Sequence, residues 1–256
     1  MNNNWALILG ASSGIGAECA IELAKNGVNI YGVYLRKKQD HIDNLKNKIA
    51  KYNVQVIFKK SNIAKESNRH KIIEEFCQIK NLKIKLFIHS VAFGTLKNII
   101  DDKKQSLNHK NIEMTMDVMA NSLVYWSQDL FNNQLLTKGS HILAMTSAGG
   151  RKNWQSYGAV SMAKASLESA IRQLAIELAP YGISANSIQA GVTDTPALHK
   201  IPGSEKMIED AIKNNPNRRL TTPKDVADFI TLLSNYNSNW LTGNVIRIDG
   251  GEDITN

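Results

Sequence analysis

Seven short apolar runs alternate with helix-like segments, and this alternation limits the possible folds more than any other feature of the chain. The runs with the length and composition of buried strands are residues 5–10, 28–35, 54–60, 84–92, 141–147, 183–191 and 244–249. The predicted helices are residues 15–26, 41–52, 65–79, a stretch within 110–135, 154–179 and 223–234. Such alternation is typical of a doubly wound parallel sheet, with helices on both faces and ligands at the carboxyl ends of the strands. We therefore predict a single-domain, Rossmann-like α/β fold with seven parallel strands over residues 1–256.

A glycine-rich turn follows the first predicted strand and opens the first predicted helix. Its glycines let the backbone come close to a pyrophosphate, and the helix N-terminus adds N–H donors with a partial positive charge. Glycines also mark ordinary strand-to-helix turns, which is the alternative interpretation. The position at the start of an alternating chain favours a dinucleotide site. The predicted cofactor contacts in this turn are Gly10, Ser12, Ser13, Gly14, Ile15 and Gly16.

Basic residues end the second predicted strand, where Arg36 and Lys37 follow Leu35. An acidic residue at this place would bind the adenosine ribose hydroxyls and repel a 2′-phosphate. Arg36, with Lys37 beside it, can instead pair with that phosphate, so the sequence favours NADPH over NADH. Solvated charges at a strand end are the alternative, because lysine and arginine are common throughout the chain.

Tyr157 and Lys164 lie seven residues apart within the predicted helix at 154–179. At about 100° per residue, seven residues make two turns, so we expect both side chains on nearly the same face. An ammonium group beside a phenol stabilises the phenolate and makes the phenol a ready proton donor. A packing tyrosine and an exposed lysine could share this spacing by chance. The spacing makes Tyr157 and Lys164 candidate catalytic residues, and by itself it leaves both interpretations open.

The chain carries a net charge of +8 and a pI of about 9.3, with lysines scattered and no aromatic residues interleaved among them. We expect a solvated basic surface, which would also suit a phosphorylated cofactor and an acidic carrier, and no nucleic acid. Cys19 and Cys77 are expected to be free thiols, and no metal site is predicted. There is no signal sequence and no apolar run near ~18 residues, so we expect a cytoplasmic protein without a membrane partner.

Four motifs together resemble the short-chain dehydrogenase/reductase superfamily, and the resemblance covers essentially the whole chain. They are the glycine turn, the helix with Tyr157 and Lys164, and the runs at residues 186–191 and 241–251. Most members place the tyrosine four residues before the lysine, where this chain has Val160. A tyrosine seven residues before the lysine resembles the enoyl-acyl-carrier-protein reductases instead.

Other positions are similar to the same branch of the superfamily. The run His-Ser-Val-Ala-Phe-Gly at residues 89–94 resembles type I enoyl reductases, Asp117 stands where ordinary members have a helix asparagine, and alanine-glycine at 190–191 replaces proline-glycine. Residues 193–219 and Ser147 resemble the type III enzymes, which use NADPH. The resemblance implies an enoyl reductase closest to type III, with some type I features.

The resemblance implies NADPH-dependent reduction of trans-2-enoyl thioesters of acyl carrier protein or coenzyme A in fatty acid elongation. Tyr157 would stabilise the thioester oxygen, Lys164 would hold the nicotinamide ribose, and Phe93 and Ser147 would line the substrate together with Tyr157. It also implies a segment at about 196–217 that covers the acyl chain, and a homotetramer. The other cofactor contacts that it implies are Asn62, Ile63, Ser90, Val91, Ala92, Thr146, Ala190, Gly191, Val192, Thr193 and Thr195.

Two other functions stay open from the sequence. A different short-chain oxidoreductase, such as a carbonyl or 3-oxoacyl reductase or a dienoyl-CoA reductase, would need an acid other than Val160 to protonate an alkoxide. A non-enzymatic dinucleotide-binding sensor predicts the loss of Tyr157 or Lys164, yet both are present.

Overall fold

The computed structural model describes residues 3–102 and 105–255, and seven strands form one sheet within these ranges. The strands are β1 (Asn4–Leu9), β2 (Asn29–Tyr34), β3 (Val56–Lys60), β4 (Lys83–His89), β5 (His141–Thr146), β6 (Ser184–Ala190) and β7 (Val245–Ile248). All neighbouring strands are parallel, in the order β3-β2-β1-β4-β5-β6-β7. The predicted seven-stranded doubly wound sheet is confirmed. The ends of the predicted domain, residues 1–2 and 256, lie outside the described residues.

Eight helices cover the sheet in the described part of the chain. They are α1 (Gly14–Lys25), α2 (Gln39–Ala50), α3 (Glu66–Gln78), α4 (His109–Met116), α5 (Ser122–Asn132), α6 (Gly158–Leu178), α7 (Ser204–Asn214) and α8 (Pro223–Ser234). A π-helical turn at Asp117–Asn121 joins α4 to α5, so the single long helix expected within 110–135 is interrupted in its middle. Short 3₁₀ turns follow at residues 148–150, 179–181, 198–200 and 252–254.

Two hydrophobic cores lie on opposite faces of the sheet because successive strand residues point to opposite sides. On one face, Leu7 and Phe87 pack with Trp126 of α5 and Leu167 of α6. The core of the other face is made by side chains of alternate strand positions with those of α1, α2 and α8. The glycine turn follows the carboxyl end of β1, and the residues before α6 follow the carboxyl end of β5, at the same edge of the sheet.

Helix α6 begins later than predicted, and this changes the position of Tyr157. The helix starts at Gly158, so Tyr157 is its N-cap residue and does not lie within it. The cause is Ser156, whose φ of 62° is left-handed and cannot continue a right-handed helix. The carbonyl of Tyr157 still accepts the first helical hydrogen bond, from the Ser161 amide at 2.8 Å.

Candidate nucleotide-binding and active site

The glycine turn between β1 and α1 is shaped by close backbone contacts. Gly10 has a φ of 86°, and a Cβ atom there would lie 2.1 Å from the carbonyl oxygen of Ser90 after β4. A Cβ at Gly16 would lie 2.4 Å from the Gly10 oxygen, so only glycine fits at either position. The Ser13 side chain does not cap α1, which leaves the first turn of the helix to be capped from outside. These features fit a pyrophosphate at the helix N-terminus.

The segment that follows β6 lies opposite the glycine turn, on the other side of the predicted cofactor site. The Thr195 methyl group lies 3.2 Å from the Cβ that a side chain at Gly14 would have, so this segment reaches the glycine turn. Thr193 is buried, donates its hydroxyl to Gly191 O at 2.7 Å and bridges to Thr221. The predicted cofactor contacts at 191–195 and in the glycine turn therefore face each other, with the half-buried Ala190 ending β6 below them.

The short turn at residues 252–254 contacts the segment that follows β6. The sequence did not predict this contact. The Glu252 carboxylate accepts the Val192 amide at 3.0 and 3.2 Å. The neighbouring Asp253 side chain is buried and forms ion pairs with Arg151 and Lys152 of the loop after β5, among other cations. The loops after β5 and β6 are thus joined through one short segment.

Two predicted site residues contact each other at the end of β2, where the adenosine of the cofactor is predicted to bind. The Arg36 guanidinium lies over the Phe93 ring, with its carbon 3.7 Å from the ring centroid. This is cation–π geometry, and it holds the exposed cation at the end of β2. Phe93, expected near the substrate, therefore stacks on the residue expected to select the cofactor. Lys37 beside them is half-buried.

The other residues that are predicted to contact the adenosine follow β3 and β4, at the same carboxyl edge of the sheet. Asn62 is exposed and its side-chain oxygen accepts the Ala64 amide at 3.1 Å. Ile63 is buried, and its carbonyl accepts the Trp126 indole N–H at 3.0 Å. Residues 90–92 follow β4 as irregular chain, with Ala92 exposed. Their predicted contacts with cofactor stay predictions.

Tyr157 lies in a mostly apolar setting at the start of α6. Its ring packs edge-on against Trp154 with centroids 5.9 Å apart, and a Cβ at Gly149 would lie only 2.6 Å from the ring. Burial raises the pKa of Tyr157, while a hydrogen bond with Ser147 opposes that rise. The phenol therefore stays protonated at neutral pH and can donate a hydrogen bond. Ser147, expected at the substrate, stands beside it.

Lys164 lies within α6 and is almost completely buried. Its ammonium donates to Met145 O at 2.5 Å, at the end of β5. Burial lowers the pKa of Lys164 to about 8, and the Glu168 carboxylate one helical turn later opposes this shift. Thr146, a predicted cofactor contact, donates its hydroxyl to Glu168 at 2.5 Å. The sequence had not indicated Glu168.

The residue four positions before Lys164 is Val160, whose aliphatic side chain has no proton to donate. Val160 is buried, and its methyl group would lie 2.7 Å from a Cβ at Gly94, so the two residues pack closely. Asp117, expected in place of a helix asparagine, lines a surface depression together with Glu113 and Asn121. Neither residue presents a proton donor next to Tyr157 in the way an alkoxide would require.

Within residues 3–102 and 105–255, no group of three or more His, Cys, Asp and Glu side chains is placed to hold a metal ion. The same residues contain no helix with the length and apolar character needed to cross a membrane.

Comparison with known proteins shows the class of protein that this fold and site define. An enoyl-acyl-carrier-protein reductase (NADH) from Aquifex aeolicus has the same fold, with a TM-score of 0.82 and 23% identity over 98% of this chain and 96% of that chain. A short-chain dehydrogenase from Burkholderia cenocepacia in complex with NADP has a TM-score of 0.85 and 21% identity over 98% of both chains. Both solved structures share the doubly wound fold of this chain.

Residues 10–252 match the family described as enoyl-(acyl carrier protein) reductase, and the chain belongs to that family. The enoyl-acyl-carrier-protein reductase (NADH) of Buchnera aphidicola is 30% identical over 217 residues, 84% of this chain and 83% of the relative. The 1-cyclohexenylcarbonyl-CoA reductase of Streptomyces collinus is 26% identical over 251 residues, 97% of this chain and 86% of the relative. The protein is therefore an oxidoreductase of the enoyl-reductase type, with a nicotinamide cofactor.

Proposed function

We propose that this protein reduces trans-2-enoyl thioesters to saturated acyl thioesters, with NADPH as reductant, in fatty acid elongation. The observation that carries the proposal is the placement of Tyr157 beside Ser147, with Val160 buried as hydrocarbon at the position where carbonyl-reducing relatives have their tyrosine. An enolate oxygen would find the phenol of Tyr157, whereas an alkoxide would find no acid at Val160.

Tyr157 stabilises the negative charge that develops on the thioester oxygen, because its raised pKa keeps the phenol protonated. Lys164 holds the nicotinamide ribose hydroxyls and keeps the local potential positive. The cofactor, when bound, supplies the hydride that goes to the β-carbon. The partial burial of Tyr157 against Trp154 lowers the local polarity and strengthens the hydrogen bond to the developing charge.

NADPH is preferred in this proposal because two cations and no acid stand at the end of β2. Arg36 is exposed and fixed over Phe93, so its guanidinium is available to a 2′-phosphate without first being ordered. Relatives named for NADH exist alongside a solved relative with NADP, so the choice rests on this chain's own Arg36 and Lys37.

The segment at 196–217 is proposed to cover the acyl chain. It carries the 3₁₀ turn at 198–200 and helix α7, and it leaves the cofactor groove directly after Thr195. Leu198 is buried, while His199 is exposed and its ring contacts the Asp194 carboxylate at 2.7 Å. Long connections of this kind are usually lids over a site.

The proposed substrates are thioesters of acyl carrier protein or coenzyme A, as in the names of the relatives. We also propose a homotetramer. Large apolar side chains are left exposed on the outer helices and near β7, which is an edge strand of the described sheet. They include Trp240 at 90%, Ile176 at 70% and Leu232 at 69% exposure. The free thiols Cys19 and Cys77 suit a reducing cytoplasm.

The test is the rate of NADPH oxidation with crotonyl-CoA and with acetoacetyl-CoA in parallel, repeated with acyl-carrier-protein thioesters. We expect oxidation with the crotonyl substrates and essentially none with the acetoacetyl substrates. Faster oxidation with the acetoacetyl substrate would replace this proposal with a carbonyl reductase that uses another acid. No oxidation with either thioester, despite NADPH binding, would support a dinucleotide sensor.

A further inference from the structure

His89 ends strand β4 directly beside the active-site lysine, and the proposed mechanism does not use it. It pairs in register with Leu9 of β1 and Ala144 of β5, one residue before Met145. Side chains alternate along a strand, so His89 points to the same face as Phe87, towards α5 and α6. The imidazole is fully buried there, on the face of the sheet that carries Lys164.

The hydrogen bonds of the ring assign its tautomer. The Ser122 hydroxyl donates to Val118 O at 2.8 Å, so its oxygen can only accept from the imidazole, whose Nε2 lies 2.8 Å away. Nε2 therefore carries the proton and Nδ1 is a bare acceptor. Nδ1 is buried and has no hydrogen-bond partner among the residues that the structure describes.

The electrostatics of the two groups show that the imidazole is neutral, and the tautomer follows from the hydrogen bonds alone. Burial and the nearby charge of Lys164 together lower the pKa of His89 to about 3, so the ring stays neutral. A neutral acceptor beside an ammonium is favourable, whereas a second cation would repel it. The charged and titratable groups that face Lys164 are His89 from β4 and Glu168 from α6.

We propose that His89 is a positioning residue for Lys164, in which bare Nδ1 accepts a hydrogen bond from the ammonium through one shared water. Together with Met145 O on the neighbouring strand, it holds the ammonium at the height where the nicotinamide ribose hydroxyls bind. Ser122 acts behind it by fixing the tautomer. The inference rests on the role given above to Lys164, but not on the identity of the thioester.

Two substitutions separate the roles of the two ring nitrogens. His89→Asn keeps an acceptor near the place of Nδ1 and loses the contact with Ser122. His89→Gln keeps a donor near the place of Nε2 and loses the acceptor. His141→Gln is the matched control, because His141 is also buried and also contacts a serine, Ser184 at 2.6 Å, at the opposite end of the sheet.

The measurement is the dissociation constant of NADPH, from fluorescence titration of the intact protein between pH 6 and pH 9.5. We expect His89→Gln to weaken NADPH binding about tenfold at neutral pH, the size of one charge-assisted hydrogen bond. The alkaline loss of binding should also move to lower pH. His89→Asn should stay within about threefold of wild type and His141→Gln should match wild type. Wild-type binding by His89→Gln, or equal weakening by His89→Asn, would overturn the proposal.

A second pair of variants keeps the test decisive where a His89 variant does not fold. Ser122→Ala removes the acceptor of Nε2, so the proton can move to Nδ1 and the ring then faces Lys164 with a donor. Ser127→Ala is its control, since Ser127 is a buried serine of α5 with the same hydroxyl bond to the preceding turn. We expect weaker NADPH binding for Ser122→Ala alone, and equal binding by both variants would contradict the proposal. Because binding is read without substrate, a failure of the enoyl-reductase proposal leaves this result unchanged.

Discussion

Two buried clusters of lysine, histidine and serine lie at opposite ends of the same sheet, and they differ in how their polar atoms are paired. At the amino ends of the strands, the Lys85 ammonium donates to the carbonyls of Gly139 and Tyr236 at 2.7 Å and to a side-chain amide oxygen at 3.0 Å. The neighbouring His141 ring contacts Ser184 at 2.6 Å and Tyr236 O at 2.8 Å. Every donor of this lysine has an acceptor, and both nitrogens of the histidine are engaged.

At the carboxyl ends, the same residue types are left incompletely paired. Lys164 donates to the one carbonyl of Met145, and His89 keeps a bare Nδ1 within the described residues. Both lysines have little exposed surface, at 7% and 5% for Lys85 and Lys164, and burial lowers the pKa of both side chains. A saturated ammonium holds a structure together, whereas an ammonium with free donors is ready for a ligand.

The largest expected effect concerns the phenol of the carboxyl-end site. Tyr157→Phe removes one hydroxyl and little volume, so we expect a folded protein that binds NADPH and loses about 10²–10³-fold in enoyl reduction rate. Tyr31→Phe is the control, because Tyr31 is a buried phenol that donates to Glu75 at 2.8 Å away from the site. Single-turnover rates with crotonyl-CoA measure both. Wild-type rates for Tyr157→Phe would show that the Tyr157 hydroxyl takes no part in the reaction.

The next effect concerns the choice of cofactor. Arg36→Asp should reverse or erase the preference for NADPH, by roughly one to two decades in the ratio of affinities, since a charge-assisted pair with phosphate is worth about 1.5–3 kcal/mol. Lys38→Asp, an equal charge change at the exposed residue before α2, is the control and should change the ratio little. The measurement is the ratio of the dissociation constants of NADPH and NADH for wild type and for both variants. A wild-type protein that prefers NADH would contradict the assignment.

The fold was predictable because its signals are local. Alternation of apolar runs and helical segments gave all seven strands, and the glycine turn was recognisable within seven residues. The predicted start of α6 was wrong because Ser156 adopts a left-handed φ of 62°, which the spacing of residues does not reveal. The end of the second strand predicted Arg36 and the resemblance implied Phe93, but neither indicated that the two side chains touch.

The unpredicted parts of the site depend on contacts between distant residues. Glu252 meets Val192 sixty residues away, and His89 meets Ser122 thirty-three residues away. His89 begins one of the runs that carried the resemblance and Glu252 follows another, but neither run indicated which distant residue each side chain contacts. Their roles become visible only when the carboxyl ends of the strands are brought together.

A smaller effect follows from the pH dependence of stability. Because burial lowers the pKa of Lys164 to about 8 from an ordinary value of 10.5, the unfolded chain binds one more proton than the folded protein between these values. Lys164 therefore favours folding as pH rises through this window, by about 1.4 kcal/mol per pH unit. Buried Cys19, whose pKa is raised, acts in the opposite direction, so wild type must be compared with Lys164→Met.

Urea unfolding at pH 8 and pH 9.5 makes this comparison. The free energy of unfolding of Lys164→Met relative to that of wild type should fall from pH 8 to pH 9.5, because wild type is then relieved of a buried charge and the variant never carries one. Curves that stay parallel between the two pH values would show that Lys164 titrates normally.

The most direct test of the contrast between the two clusters is a matched pair, Lys85→Met and Lys164→Met, measured for both free energy of unfolding and NADPH affinity. Lys85→Met should lower stability by about 3 kcal/mol or more, because it leaves buried acceptors unpaired, and should leave NADPH affinity near wild type. Lys164→Met should change stability at neutral pH by no more than about 1 kcal/mol and weaken NADPH binding at least about tenfold. If Lys164→Met instead unfolds as easily as Lys85→Met and binds NADPH like wild type, the carboxyl-end lysine is structural and the account of the active site is wrong.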